Sequence, residues 1–311
     1  MAKRTLSCCL FVLAIPLMAA SSPFLAHAHD IYSASKDPAV RLLTEAARVT
    51  PHAQQKTRGL IYNLYVWRAP RQLTVCFMDG DSATRDMATR AMQRWRLAES
   101  TDNQMSFRFL PRTDGNECLG QNADIRISFA GNRYWSAIGN DSRHASLLLS
   151  ASMYLGGLKA AQWSENSDRV VIHETGHALG LLHEHQHPSR ECSDPWDRDW
   201  ILANTAWNTA AEMEPEFRGL ETSIGYDQSA YTFLTYDRYS VMNYSFRKEA
   251  YKAGFYERCA TPFNASPSDQ DFDSIREAYS AGLQSELNQV RGNPGIFEAP
   301  IYNDLREYLG R

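Results

Sequence analysis

One stretch near the middle of the chain, His173 to His185, reads HETGHALGLLHEH and places four histidines and two glutamates within thirteen residues. Val170, Val171 and Ile172 precede it, and Leu179, Leu181 and Leu182 lie inside it. An apolar helix of this kind is buried, and buried polar side chains need partners. His173 and His177 are four apart, so on a helix both imidazoles project from one face and reach a single metal ion. Glu174 stands beside such an ion without ligating it and can take a proton from water bound there. Gly180 lets the chain leave the helix, because glycine accepts positive φ. His183 then arrives from outside the helix as a third ligand. Three neutral imidazoles leave one coordination position open, which is the catalytic rather than the structural arrangement for zinc. The pattern therefore predicts one catalytic Zn2+ held by His173, His177 and His183, with Glu174 as general base and proton shuttle. The alternative is a helix with surface histidines. HExxHxxGxxH fixes His173, Glu174, His177, Gly180 and His183 together, a coincidence too specific for a chain of 311 residues.

The amino-terminal residues point to export. MAKR is basic, LSCCLFVLAIPLMAA is apolar, and AHAHD offers a small-x-small cleavage site after Ala28. Residues 1–28 read as a secretory signal peptide. A membrane anchor needs about twenty apolar residues, more than this run supplies, and no other segment is long and apolar enough. Once Cys8 and Cys9 leave with the signal, Cys76, Cys118, Cys192 and Cys259 remain. An even count in an exported chain suggests two disulfides with three possible connectivities. Proximity in the chain favours Cys76–Cys118 and Cys192–Cys259. No CxxC spacing occurs, so zinc held by thiolates is not expected. The net charge of −4 gives no basic field for nucleic acid.

The periodicities divide the rest. Residues 29–64 read as an amino-terminal arm or short pro-segment, 65–282 as one catalytic domain and 283–311 as a tail. QLTVCFM, MSFRFLP and ADIRISFAG read as strands, and Leu147–Ser150 as a further one. DGDS carries turn chemistry. Residues 83–98 have helical spacing, and the histidine helix is expected to be capped by Ser167 or Asp168. Residues 186–235 look loop-heavy with short helical pieces. SDQDFDSIREAYSAGL opens on a capping residue and reads as a late helix. The order of elements predicts an α+β fold, a mixed sheet with helices packed on it.

A second motif lies about sixty residues past the first. YSVMNY spans Tyr239 to Tyr244, and a zinc motif followed by a methionine-containing turn resembles the metzincin metalloproteases. HEH, ending in Glu184 and His185, is similar to the astacin group, as is SVMNY, with Asn243 where histidine is usual. ADIRISF followed by WSAIG, Trp135 to Gly139, resembles the segment ahead of the metzincin zinc helix. The resemblance covers roughly Leu73 to Tyr279. It implies a two-lobed catalytic domain: a twisted mixed sheet with helices above a zinc cleft, and an irregular carboxy-terminal lobe. It implies that Met242 forms an apolar floor beneath the metal. It also implies that Tyr244 ligates zinc at rest and swings away to hydrogen-bond the tetrahedral intermediate. An edge strand in or after ADIRISF would bind an extended peptide by strand addition. Glu184 would contact the new amino terminus left by removal of a pro-segment. FMDGD at Phe77–Asp81 is off by one from the family's inhibitory F-x-G-D and reads as a turn.

The function expected is a secreted zinc endopeptidase, a monomer, acting on protein or peptide substrates, with no nucleic-acid partner and no membrane partner after signal cleavage. The alternatives are a secreted zinc-binding protein without turnover and a zinc hydrolase of a non-protein amide. His185 and His187 could extend the metal site, but three ligands already suffice, so they are expected either around it or exposed. Trp196, Trp200 and Trp207 read as loop packing. Sequons occur at Asn140, Asn243 and Asn264, and a glycan on Asn243 would collide with the site. Arg238, Arg247 and Arg258 read as a solvated face, with an acidic residue after the scissile bond as their functional alternative.

Overall fold

A computed structural model describes residues 60–62, 65–111, 118, 122–143, 150–190, 192, 194–205, 209–217, 231–233 and 235–291. The expected signal peptide, most of the 29–64 segment, Trp207 and the end of the tail lie outside them. A five-stranded sheet has the order β3–β2–β4–β6–β5. β2 (Arg71–Phe77), β3 (Met105–Phe109), β4 (Ile125–Ser128) and β6 (Met153–Leu155) run parallel. β5 (Tyr134–Ser136) joins β6 antiparallel at the edge. The expected strand at Leu147–Ser150 falls mostly outside the described residues, and β6 follows it. Pairings Val75↔Ile125, Ile127↔Met153 and Leu155↔Tyr134 put all of these side chains on one face, since strand side chains alternate.

That face carries the main core. Helices α1 (Ser82–Gln93) and α3 (Glu165–Ala178) pack together against it. Asp81 caps α1 by accepting from the Thr84 amide at 2.7 Å. The helix expected over 83–98 stops at Gln93, and α2 (Leu97–Ser100) restarts after Arg96, which takes φ 44°. The break aims Trp95 inward, where its indole donates to the Ile172 carbonyl on α3 at 2.9 Å.

The expected cap of the histidine helix is corrected. Ser164 is the N-cap, and Ser167, at the third helical position, closes a reciprocal capping box with it. Asp168 instead accepts from Arg94 and from the Trp163 indole. The last turn of α3 is pinned by the Trp67 indole on the Ala178 carbonyl and the Tyr279 hydroxyl on the Leu179 carbonyl, each at 2.8 Å. These carbonyls have no partner within a helix end.

Two short strands, β1 (Leu60–Tyr62) and β7 (Tyr231–Phe233), pair antiparallel. β1 also meets the loop after α3, through the Leu182 amide on the Leu60 carbonyl at 3.1 Å. Past the loop-rich region with α4 (Arg198–Asn204), α5 (Ala210–Phe217) and α6 (Tyr256–Cys259), the chain returns to the main core. The late helix is split. α7 (Asp269–Ala278), capped by Ser268, ends at Tyr279, and α8 (Ala281–Arg291) follows. Leu283 and Leu287, placed in the tail by sequence, join the core, and Gln284 bonds the Ala69 amide and the Trp67 carbonyl.

A second apolar cluster surrounds Trp196, with Phe217, Tyr244, Phe246 and Tyr251. The disulfide Cys192–Cys259 lies in it, and Cys76–Cys118 ties the sheet side, both pairings being those that proximity favours. The architecture is the expected α+β fold, with a mixed sheet and helices on one side of the histidines and an irregular lobe on the other.

Candidate metal centre

α3 carries His173, Glu174 and His177, all buried. The helix ends at Leu179 because Gly180 takes φ 98°, a conformation unfavourable for residues with a Cβ. The chain turns there and brings His183 back. The ligand atoms of the three histidines lie within 4.8 Å of one another. His183 Nε2 is 3.1 Å from His177 Nε2 and 3.2 Å from His173 Nε2. Nitrogens each about 2.0–2.1 Å from one tetrahedral ion lie about 3.3 Å apart. The donor set therefore fits zinc.

The tautomers follow from the backbone. His173 Nδ1 is 2.8 Å from the Val241 carbonyl, and His177 Nδ1 is 2.8 Å from the Leu181 carbonyl. A carbonyl only accepts, so each Nδ1 carries the proton and each Nε2 presents its lone pair to the metal position.

The turn beneath is built from Ser240, Val241, Met242 and Asn243. Asp271, near the start of α7, accepts from the Ser240 hydroxyl at 2.6 Å and the Val241 amide at 2.9 Å. This fixes the carbonyl that holds His173. Met242 is buried against α3, where a Cβ added at Gly176 would lie 2.4 Å from its sulfur. Only a glycine at 176 lets the turn approach the helix so closely. Tyr244 is buried, with its ring centroid 4.5 Å from that of His183 and 6.4 Å from that of His173. His185 stacks on Tyr244 at 4.2 Å, so it lies behind the site, as expected, and His187 bonds Ser189.

Glu184 is fully enclosed. It accepts from the Asp237 amide at 2.7 Å, and its own amide donates to the Met242 carbonyl. Burial, with repulsion from Asp271 and Asp237, pushes its carboxyl well above the usual range, although the Asp237 amide opposes the shift. Burial is also the main cause that raises Asp271 to about 6.

The edge strand approaches from the other side. β5 packs on α3, and no described strand pairs with its outer edge. Tyr134, on the helix-facing side of β5, has its hydroxyl pKa raised by burial and by the charge of Glu174. Arg169, which sequence reasoning passed over, also points here. Its guanidinium donates to the Asn243 carbonyl at 2.6 Å, and burial lowers its pKa to about 10 against the opposing influence of Tyr244 and Glu174. Its position four residues before His173, on the same helix face, was a signal available in the sequence. Arg238 bonds the Ala260 carbonyl at an exposed position, and Arg258 lies over Phe255. Asn243 is buried, its side-chain amide donating to the Asp237 carbonyl, so that sequon has no room for a glycan.

A mixed sheet with a metal-ready histidine triad on a helix and the following turn defines a metzincin-type zinc fold. Residues 81–279 match the model of the peptidase family described as Astacin. The chain belongs to the astacin family, whose members are zinc metalloendopeptidases with one catalytic zinc. Two Caenorhabditis elegans proteins are similar to it. Zinc metalloproteinase nas-30 is 24% identical over 200 residues, covering 62% of this chain and 23% of that protein. Zinc metalloproteinase nas-26 is 24% identical over 225 residues, covering 69% of this chain and 45% of that protein. The match thus spans less than half the length of either relative. The structure of myroilysin has a TM-score of 0.57 and 24% identity, covering 71% of this chain and 98% of that one, and shares the fold.

Proposed function

We propose that this chain is a secreted zinc endopeptidase that hydrolyses peptide bonds in proteins or peptides, with Glu174 as general base. The observation that carries the reading is the convergence of the Nε2 atoms of His173 and His177, on one buried helix that also carries Glu174, with that of His183 from the turn after it. His173, His177 and His183 would hold the zinc. Bound there, zinc lowers the pKa of water to about 7 and polarises the scissile carbonyl. Glu174 would accept the proton from the attacking water and deliver it to the departing amine. Tyr244 would donate its hydroxyl proton in a hydrogen bond to the oxygen that gains charge as the carbonyl becomes tetrahedral. The extended substrate would lie along the outer edge of β5, bonded through its backbone. Met242 would act through shape, filling the floor.

Secretion is supported by the two disulfides, which persist in oxidising compartments, and by the leader composition. The catalytic domain would be residues 65–282, with Ile61 of β1 and Leu283 and Leu287 of α8 packed on its core. The chain would act as a monomer. The test is digestion of a denatured protein by the purified chain, wild type beside Glu174→Ala, with zinc measured in both. Cleavage by the wild type alone, with one zinc in each, is expected. Cleavage by Glu174→Ala would overturn the base assignment.

A further inference from the structure

In the irregular lobe behind the triad, buried hydrogen-bond donors gather around Arg190 without acceptors. Arg190 Nη1 donates to the His185 carbonyl at 3.1 Å, but its Nε and Nη2 are buried and make no hydrogen bond. The guanidinium lies over Trp196, 4.9 Å from the ring centroid, and the Tyr251 ring is 4.9 Å from that of Trp196. Trp196 and Tyr251 are 0% and 5% exposed, and neither the indole Nε1 nor the hydroxyl reaches an acceptor. The backbone bridge Trp196↔Tyr251 and the Cys192–Cys259 disulfide fix the two segments that carry these groups. Among the described residues no carboxylate pairs with Arg190, whereas Arg71, Arg94 and Arg143 all pair with aspartates. Burial lowers the Arg190 pKa, yet an arginine stays protonated. Tyr236 also faces it, but burial raises that hydroxyl's pKa, so it stays neutral and does not balance the charge. Tyr251 is likewise a neutral donor, since burial pushes its pKa up to about 12. The Trp196 face offsets part of the guanidinium's desolvation and accepts nothing in the plane of its fork. The cluster thus offers one unbalanced positive charge and a surplus of donors, which is costly unless an anion completes it.

We infer that Arg190, Trp196 and Tyr251 form a closed site for a single halide ion, chloride in ordinary media, which accepts from the guanidinium, the indole and the phenol together. One unbalanced guanidinium calls for one negative charge. A water would leave that charge unbalanced and would need acceptors for its own hydrogens. A carboxylate or phosphate is larger and needs an opening, and these donor atoms are closed to solvent. A spherical ion accepts from several directions without orienting itself. The site does not depend on the peptidase reading. It reaches the metal side through packing: Trp196 meets His185 edge-on at 6.0 Å, and His185 stacks on Tyr244 at 4.2 Å. A bound halide therefore braces the wall behind Tyr244.

The test uses the purified, zinc-loaded chain. Crystals soaked in sodium bromide should give an anomalous peak between Arg190, Trp196 and Tyr251. In solution, the thermal midpoint should rise as sodium chloride replaces sodium gluconate at constant ionic strength, as for an ion bound by the folded state alone. The chloride dissociation constant read from that rise should increase at least about tenfold in Arg190→Gln, the scale of one hydrogen bond to a charged group. It should also increase in Tyr251→Phe, which keeps the ring against Trp196 and decides the matter if Arg190→Gln does not fold. A peak without anomalous signal, which marks a water, would overturn the inference. So would a wild-type midpoint indifferent to chloride, or a dissociation constant unchanged in the folded variants.

Discussion

His173 and Val241, 68 residues apart in the chain, are joined by a 2.8 Å contact between an imidazole nitrogen and a backbone carbonyl. This bond sets the tautomer of His173 from the turn beneath it. The turn is held in place by Asp271, so the orientation of the His173 ring depends on a layer of groups outside the histidine triad.

Glu174→Gln should retain one zinc and lose turnover by at least about a hundredfold, the lower end of general base catalysis. Parallel measurement of kcat and zinc content checks this. A loss of zinc with the activity would assign Glu174 to holding the triad instead.

Tyr244→Phe keeps the ring against His183 and His185 and removes only the hydroxyl. We expect zinc content and KM to hold while kcat falls by about a hundredfold, as for one donor to a developing oxyanion. Unchanged kcat would confine Tyr244 to packing.

Gly176→Ala tests the contact between helix and turn. Alanine ordinarily favours a helix interior over glycine by about 1 kcal/mol. Here its Cβ would meet Met242 at 2.4 Å and Trp95 at 3.0 Å. Overpacking should prevail, with a net destabilisation of about 1–3 kcal/mol by urea unfolding. A stabilised variant would mean that the Met242 side chain moves aside freely.

Zinc removal should lower the thermal midpoint of the wild type, because an ion bound only by the folded state stabilises it. In His183→Ala, chelation should leave the midpoint nearly unchanged. A wild-type midpoint indifferent to chelation would count against the triad as a zinc site.

Asp271 gives a pH dependence with a definite sign. Its carboxyl is raised from 3.8 to about 6, so between those values the folded chain binds more protons than the unfolded one. This group's contribution is full below pH about 4 and declines as pH rises through about 6. Asp271→Asn stays neutral throughout. The stability of the variant relative to wild type should therefore improve from pH 4 to pH 7, measured as the difference in unfolding midpoint at each pH. A difference that is flat or worsens would show that the hydrogen bonds to Ser240 and Val241 outweigh burial.

The triad was legible because three-histidine ligation requires a fixed spacing, and a buried helix has a period of its own. Both disulfides agreed with simple proximity in the chain. Other features depended on tertiary partners. β1 and β7 are three residues each, too short for alternation to register. The helix over 83–98 keeps its apolar spacing beyond its true end, because Trp95 is buried after the break as it would be within a helix. Ser167 was read as the cap when it is the partner of Ser164, since two serines three apart make either reading possible. α8 was missed because its anchoring contacts, from Gln284 to Ala69 and Trp67, join residues more than 200 positions apart.

The link from Asp271 through Val241 to His173 also sets an order of events during synthesis. A nascent chain that has emerged only as far as His183 possesses all three histidines but not the carbonyl that orients His173, nor the carboxylate that fixes that carbonyl. Such long-range closure is slow compared with helix formation. The groups that orient His173 are thereby complete only once the chain extends to Asp271, close to the end of the domain.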